Sequence, residues 1–207
     1  MKLEEILKLA PVVPVIVLDE LAHAVPLAKA LVAGGVRVLE ITLRTAAAMD
    51  SMRAIMAEVP DAIVGAGTVL GPAQLAEVEK LGCAFAVSPG VTPSLLDAAK
   101  GSSVPLLPGS ATASEVMVLL ENGYRYMKLF PAEQSGGADF LAALASPLPE
   151  ARFCPTGGVN PEKARRYLSL PNVVCVGGSW LVPKAKMAAG DWDGITGLAR
   201  ETLALRG

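Results

Sequence analysis

Residues 62–88 read AIVGAGTVLGPAQLAEVEKLGCAFAVS, and the pattern of this stretch indicates the fold class. It opens with a short aliphatic run, AIVGAGT, and closes with another, AFAVS. Between them, Leu75 and Val78 share a face at helical spacing, Pro72 suits a first helical turn, and Gly82 suits a helix exit. The stretch therefore predicts a strand, a helix and a second strand, the unit from which parallel sheets are built.

The same kind of aliphatic run recurs along the whole chain, with starts 20 to 27 residues apart and helical segments between them. Eight strand–helix units in 207 residues predict an α/β protein, a single (β/α)8 TIM barrel formed by one domain over residues 1–207. Pro26 inside the first helical segment predicts a kink or a shifted helix boundary. The six other runs are VVPVIVL from Val12, VRVLEIT from Val36, VPLLPG from Val104, RYMKLF from Arg125, RFCPTGG from Arg152 and VVCVGGS from Val173.

The composition favours a large covered core and argues against charged partners. Hydrophobic residues make up 52% of the chain and charged residues 18%, which fits a parallel sheet covered on its faces. The net charge is -2 and no Lys/Arg-rich run occurs, so neither nucleic acid nor an anionic membrane is an expected partner. The apolar run at residues 9–18 is too short to span a bilayer and contains two prolines.

Cysteine and histidine usage narrows the chemistry further. Cys83, Cys154 and Cys175 are odd in number and far apart, which indicates reduced, buried thiols in a cytoplasmic protein rather than a disulfide framework. His23 is the chain's one histidine and lies in a helical pattern, where a surface or packing role is expected. A histidine-based metal centre or a Ser-His-Asp triad therefore has too few residues to form, and we expect no metal and no cofactor.

Lys128 is the one lysine of nine that falls within a predicted strand. Alternation along RYMKLF places Lys128 inside the barrel, and the same alternation in VRVLEIT places Glu40 inside. Both lie near the C-terminal ends of their strands, the face at which barrel enzymes hold their chemistry. Two interpretations stay open: a structural amine paired with Glu40, or an amine that burial and nearby Arg44 keep neutral and nucleophilic. The second requires Glu40 to stand off from Lys128, for example with a water between them.

Other residues suit a small anionic substrate. Arg44, where a strand passes into a loop, could hold a carboxylate, or could be an ordinary surface arginine. The glycines of GAGTVLG do not fit a nucleotide loop, but they leave room beside the Thr68 hydroxyl. Pro89 in SPG could shape the following loop or form an ordinary turn.

Glycines follow the last two predicted strands, where this class of barrel binds phosphate. In CPTGGVNP, Asn160 suits a helix cap and Pro161 the first helical turn. In VGGSWL, a short helix is expected to open directly after the strand. Glycine turns without a ligand are the alternative.

Together these motifs resemble the KDPG aldolase family, the 2-dehydro-3-deoxy-phosphogluconate aldolases, whose members often act on 4-hydroxy-2-oxoglutarate too. The likeness covers essentially the whole chain. One departure is Ala111 in PGSATASE, where family members tend to have serine, and it bears on fine substrate preference. The motifs that carry the likeness are PVVPVI at Pro11, AGGVRVLEITLRT at Ala33, VGAGTVL at Val64, SPG at Ser88, KLFPAE at Lys128, RFCPTGG at Arg152 and GGSW at Gly177.

The resemblance implies a metal-free class I aldolase of the Entner–Doudoroff pathway, usually a homotrimer, with a 2-keto-3-deoxy sugar acid phosphate and pyruvate as small-molecule ligands. It implies that Lys128 forms the Schiff base and that Glu40 is the general acid/base. The implied substrate-binding residues are Arg44, Thr68, Phe130, Pro89 and Thr156, and the implied phosphate-binding residues are Gly157, Gly158, Gly178 and Ser179.

Two other functions fit the fold and the glycine loops without the lysine chemistry, because a fold does not determine a function. One is a phosphate-binding barrel isomerase or decarboxylase that uses no covalent lysine. The other is a non-catalytic sugar-phosphate binder in which Lys128 is locked in an ion pair.

Overall fold

Each of the eight aliphatic runs contains β-structure in the computed structural model, which describes residues 1–205. The fifth run forms two short strands on either side of Pro108, a residue without the N–H group that a continuous ladder would need. The strands are β1 (Val12–Ile16), β2 (Val38–Thr42), β3 (Ile63–Gly67), β4 (Phe85–Val87), β5 (Leu106–Leu107), β6 (Gly109–Ser110), β7 (Tyr126–Leu129), β8 (Arg152–Pro155) and β9 (Val176–Gly178).

Helices occupy the segments between the strands, and their ends follow the expected residues. Pro72 begins one helix, and Gly82 ends it in the left-handed region. Pro26 lies in the first turn of its helix, so it shifts the boundary rather than kinking the helix interior. The helices are α1 (Leu3–Lys8), α2 (Ala24–Ala33), α3 (Ala48–Glu58), α4 (Pro72–Leu81), α5 (Pro93–Gly101), α6 (Ala113–Glu121), α7 (Gly137–Leu144), α8 (Pro161–Leu168), α9 (Lys184–Ala188) and α10 (Trp192–Leu203).

All strand pairs are parallel, and the strands form two sheets. The larger sheet has the order β5-β4-β3-β2-β1-β9, and the smaller has the order β6-β7-β8. In the larger sheet Glu40 of β2 is in register with Gly65 of β3, and in the smaller Lys128 of β7 is in register with Gly109 of β6. The α/β class predicted from the repeats is confirmed at the level of these parallel sheets.

Two apolar clusters lie on opposite faces of the strands, as the alternation predicted. Met127 and Leu129 belong to the larger cluster, together with helix residues such as Leu141. Tyr126 packs instead against the smaller cluster, which contains Ile6 and Leu7 of α1 and side chains from the first residues of several strands. The inner faces of the strands are therefore apolar near their N-terminal ends and become polar at Lys128 and Glu40.

The remaining expectations from composition can be compared with the same residues. Cys83, Cys154 and Cys175 are all buried, as predicted. His23 packs against Trp192, with ring centroids 5.9 Å apart, which fits a packing role. Within residues 1–205, no helix has the length and apolar character needed to cross a membrane.

Candidate active site

Lys128 and Glu40 form a buried ion pair between the two sheets. Lys128 Nζ lies 3.2 Å from Glu40 Oε1, and each side chain is 4% exposed. The two residues are 88 positions apart in the sequence, so the fold alone brings them together. Two charges so far from solvent are tolerated only when they are paired, because each alone would lose its hydration without compensation.

The contact is direct, which matches the first of the two open interpretations, an amine paired with Glu40. The space for the carboxylate comes from Gly67 at the end of β3. A Cβ atom on Gly67 would lie 2.7 Å from Glu40 Cγ, well inside van der Waals contact. Because Gly67 has no side chain, Glu40 extends across β3 and reaches the amine without an intervening water.

Phe130 covers the amine on another side. Its ring centroid is 5.4 Å from Lys128 Nζ, within the range of a cation–π contact. Phe130 is fixed in place by its backbone N–H, which donates to the Ser110 carbonyl oxygen at 3.0 Å. The same ring forms part of the wall of a cavity of about 410 Å³, so Phe130 connects the buried pair to this cavity.

Arg44 and Thr68 meet at the ends of β2 and β3. Arg44 Nε donates to Thr68 Oγ1 at 3.0 Å, and Arg44 lies in the cavity wall. Thr68 has a φ of 62°, a left-handed conformation that is rare for a β-branched residue and marks a constrained turn. The contact uses Arg44 Nε, so the carboxylate contact predicted from the sequence would fall to the terminal guanidinium nitrogens.

The loop after β8 supplies the opposite side of the cavity. Thr156, Gly157 and Gly158 all line it. Both glycines have positive φ values, 107° and 74°, which explains the glycine pair. Asn160 caps α8 by accepting the Lys163 N–H at 2.9 Å, and Pro161 is the first helical residue, as predicted.

The segment after β9 differs from the expectation in two ways. Ser179 lines the cavity beside Gly177, while Gly178 does not line it and presents the position of its missing Cβ to the Trp180 ring. A Cβ on Gly178 would lie 2.5 Å from the Cε3 atom of that ring. The expected helix is also displaced: Ser179 begins a single turn, and α9 starts only at Lys184.

Pro89 packs against Gly109 of β6. Its carbonyl group and the Gly90 N–H pack against Gly109, whose missing Cβ makes room for them. Since Gly109 is the register partner of Lys128, Pro89 is one strand removed from the amine. Among the residues predicted from the sequence, those that line the cavity are Phe130, Arg44, Thr156, Gly157, Gly158 and Ser179. Lys128, with its partner Glu40, adjoins the cavity through Phe130, and Thr68 adjoins it through Arg44. Pro89 and Gly178 are placed by their contacts with Gly109 and Trp180.

The chain is similar to known proteins over nearly its whole length. Residues 3–198 match the family model described as "Aldolase: KDPG and KHG aldolase". The chain belongs to this family. It is 58% identical over 200 residues to the KHG/KDPG aldolase of Escherichia coli K12, covering 97% of this chain and 94% of the relative. It is also 58% identical to the 2-dehydro-3-deoxy-phosphogluconate aldolase of Dickeya dadantii, with the same coverage.

A solved structure from the KDPG and KHG aldolase family shares the fold closely. KDPG aldolase from Legionella pneumophila, captured with pyruvate at low pH as a covalent carbinolamine intermediate, superposes with a TM-score of 0.96. The two chains are 45% identical, and the match covers 98% of each.

Lys184 is a feature of this KDPG and KHG aldolase family member that sequence reasoning missed. Lys184 Nζ forms an ion pair with Asp19 Oδ2 at 2.9 Å, and the lysine lines the cavity although its side chain is 71% exposed. The sequence suggested only a solvated lysine. The signal that could have found Lys184 is its position shortly after the GGSW motif, at the start of the next helix.

The departure at Ala111 lies one residue beyond β6. Its backbone N–H donates to Glu115 Oε2 at 2.7 Å, beside the capping box that begins α6.

Within residues 1–205, no group of three His, Cys, Asp or Glu side chains has a geometry suited to a metal ion.

Proposed function

We propose that this protein is a class I aldolase that cleaves 2-dehydro-3-deoxy-6-phosphogluconate into pyruvate and D-glyceraldehyde 3-phosphate. The observation that carries the proposal is the buried Lys128–Glu40 contact of 3.2 Å beside a cavity that ends in a glycine loop. Family membership favours this reaction over an isomerase or decarboxylase and over a non-catalytic binder. The name KHG/KDPG aldolase of the Escherichia coli relative also supports cleavage of 4-hydroxy-2-oxoglutarate to pyruvate and glyoxylate.

In the proposed reaction, Glu40 first accepts a proton from Lys128 across their direct contact. The neutral amine then adds to the C2 ketone of the substrate. Glu40 returns its proton to the carbinolamine hydroxyl, which leaves as water, and an iminium and the Glu40 carboxylate remain. The carbinolamine of pyruvate in the Legionella relative supports this order of events.

Carbon–carbon cleavage uses the iminium as the electron acceptor. The Glu40 carboxylate takes the proton of the C4 hydroxyl while the C3–C4 bond breaks. The electron pair of the C3–C4 bond moves toward the iminium, which becomes an enamine. Glyceraldehyde 3-phosphate departs as the aldehyde. The enamine is then protonated at C3, and water hydrolyses the imine to release pyruvate and Lys128.

Substrate binding divides between the two ends of the cavity. Arg44 and Thr68 would hold the carboxylate of the pyruvyl part, and Phe130 would pack beside the iminium. Thr156 and Pro89 complete the proposed substrate contacts, with Pro89 acting through the strand next to Lys128. The phosphate would lie against backbone N–H groups and one hydroxyl, those of Gly157, Gly158, Gly178 and Ser179.

The proposal includes a closed (β/α)8 barrel formed by a single domain over residues 1–207, of which residues 206–207 lie outside the described part. β5 and β6 are separated only by Pro108, so one stretch of chain joins the two sheets on one side. On the other side, parallel bridges pair Phe153 with Val173 and Thr156 with Gly177, beside β8 and β9. These links support closure on both sides.

By the same resemblance we infer a cytoplasmic homotrimer that needs no metal or other cofactor. Light scattering on the purified protein tests the assembly: the expected mass is three times the 21.3 kDa of the chain. A monomer mass at working concentrations would contradict the trimer without affecting the reaction.

Steady-state kinetics test the reaction. Pyruvate release from each of the two substrates is followed by coupling to lactate dehydrogenase, with and without EDTA. The proposal predicts turnover of the phosphorylated substrate at the same rate in both conditions. Strong loss on chelation would contradict the metal-free mechanism, and absence of turnover of either substrate would contradict the proposed function.

A further inference from the structure

The glycine loop, residues 156–160, needs support from outside itself. Gly157 and Gly158 both have left-handed φ values, and glycine loses more conformational freedom on ordering than any other residue. Two backbone bonds from the segment after β7 hold its first residues. Ala132 N–H donates to the Thr156 carbonyl at 2.8 Å, and Glu133 N–H donates to the Gly157 carbonyl at 3.3 Å.

The Glu133 side chain adds a second set of contacts. Its Oε1 accepts the Tyr167 hydroxyl at 2.6 Å, and its Oε2 forms an ion pair with Lys163 Nζ at 2.6 Å. Lys163 Nζ also donates to the Gly158 carbonyl at 3.4 Å. The carboxylate is thus bonded through both oxygens to α8 and, through Lys163, to the glycine loop.

Packing joins Glu133 to the loop as well. A Cβ on Gly158 would lie 2.7 Å from Glu133 Cγ, so the Gly158 backbone rests directly on the Glu133 side chain. Tyr167 is 1% exposed, which gives the network a rigid base in the core. The structure therefore has a continuous path of contacts from a buried tyrosine to the backbone that faces the cavity.

Charge also suits this supporting position. Burial raises the pKa of Glu133, but the hydrogen bonds from Lys163 and Tyr167 outweigh that effect and leave the pKa below its usual value. Glu133 is therefore an anion at neutral pH. An anion would repel a phosphate that it touched directly, and Glu133 is absent from the wall of the main cavity.

We propose that Glu133, with Lys163 and Tyr167, positions the glycine loop for the phosphate group of the substrate. The inference rests on the proposed function, because it assigns the support of the phosphate site. It predicts that the network contributes to binding of phosphorylated ligands and has no part in the lysine chemistry. A purely structural role would affect both kinds of substrate alike.

The test compares Glu133→Gln, which keeps the size of the side chain, with Tyr167→Phe, which removes a single hydroxyl donor. We expect each variant to raise the KM for 2-dehydro-3-deoxy-6-phosphogluconate by about tenfold, as removal of residues that orient a binding group commonly does. The KM for 4-hydroxy-2-oxoglutarate, which has no phosphate, should stay within about twofold of the wild-type value. The kcat values should change by less than the KM for the phosphorylated substrate.

Asp139→Asn is the matched control. A small surface cavity is lined by both Glu133 and Asp139. Asp139 forms an ion pair with Arg166, and its side chain is 81% exposed. Its hydrogen bond goes to Arg166 and not to the glycine loop. It should leave both KM values unchanged. Equal KM increases for the two substrates in Glu133→Gln and Tyr167→Phe, or no increase in either, would overturn the inference.

Calorimetry with inorganic phosphate separates this inference from the proposed function. The wild-type protein should bind inorganic phosphate about tenfold more tightly than Glu133→Gln or Tyr167→Phe, whatever reaction the protein catalyses. Equal phosphate affinities would overturn the role of Glu133 alone. Failure of pyruvate to form an adduct with Lys128, with the affinity difference intact, would overturn the proposed reaction alone. Tyr167→Phe keeps the test decisive if Glu133→Gln fails to fold.

Discussion

Gly67 leaves the space in which the Glu40 side chain lies. A Cβ at Gly67 would come within 2.7 Å of Glu40 Cγ, and Glu40 uses that space to reach Lys128 Nζ at 3.2 Å. Neither the strand geometry nor the ion pair alone would produce this contact. The glycine in β3 thus determines whether the acid/base group and the amine meet.

Gly67→Ala tests this relationship. Gly67 has no positive φ, so its backbone accepts alanine, but the new methyl group must displace Glu40. We expect kcat to fall by at least about 100-fold, since small displacements of catalytic groups have effects of that size. Gly197→Ala in α10 is the control, because open space surrounds the position and activity should not change. Wild-type kcat in Gly67→Ala would contradict the role of the gap.

Glu40→Gln removes the proton acceptor while keeping the size of the side chain. Loss of a positioned general acid/base lowers rates by about 10²–10⁴-fold, so kcat should fall by that factor. Circular dichroism checks that the fold persists. Glu150→Gln, at a surface carboxylate paired with Arg125, should retain full activity. If kcat of Glu40→Gln stays within about threefold of the wild-type value, Glu40 moves no proton in the slow step.

Arg44→Gln separates binding from chemistry. The guanidinium lies in the cavity wall with Nε bonded to Thr68, so its loss removes a charge-assisted contact to the substrate carboxylate. The KM for both substrates should rise by about 10- to 100-fold, with a smaller change in kcat. Arg53→Gln, at an exposed arginine paired with Asp50, is the control. Unchanged KM values would mean that the carboxylate binds elsewhere.

Cys83 gives a prediction about pH. Burial raises the pKa of the Cys83 thiol from 9.0 to about 11, so the folded state favours the neutral thiol. The thiol should resist iodoacetamide at neutral pH until the chain unfolds, as counted by intact mass. The raised pKa also means that this contribution to stability is present below about pH 9 and is lost as the pH rises toward 11. Rapid native labelling of Cys83 at neutral pH would contradict its burial.

The sequence was most informative where one rule of local geometry applied. Alternation along the strands placed Lys128 and Glu40 on the same inner face, and Pro72 and Gly82 marked the ends of α4. The regular repeats also gave the α/β class. Each of these rules depends only on residues that are close together in the chain.

Other features depend on contacts between distant segments. The direct Lys128–Glu40 contact requires the gap at Gly67, which belongs to a third strand. Lys184 lines the cavity and pairs with Asp19 from the opposite end of the chain, a contact that the glycine motif did not reveal.

Borohydride trapping tests whether Lys128 forms an imine with the substrate. The protein is incubated with pyruvate and sodium borohydride, its intact mass is measured, and the modified peptide is mapped. We expect one reduced pyruvate adduct per chain, located on Lys128 and absent from Lys128→Met. No adduct under conditions in which pyruvate binds, or an adduct located on Lys184 instead, would contradict it.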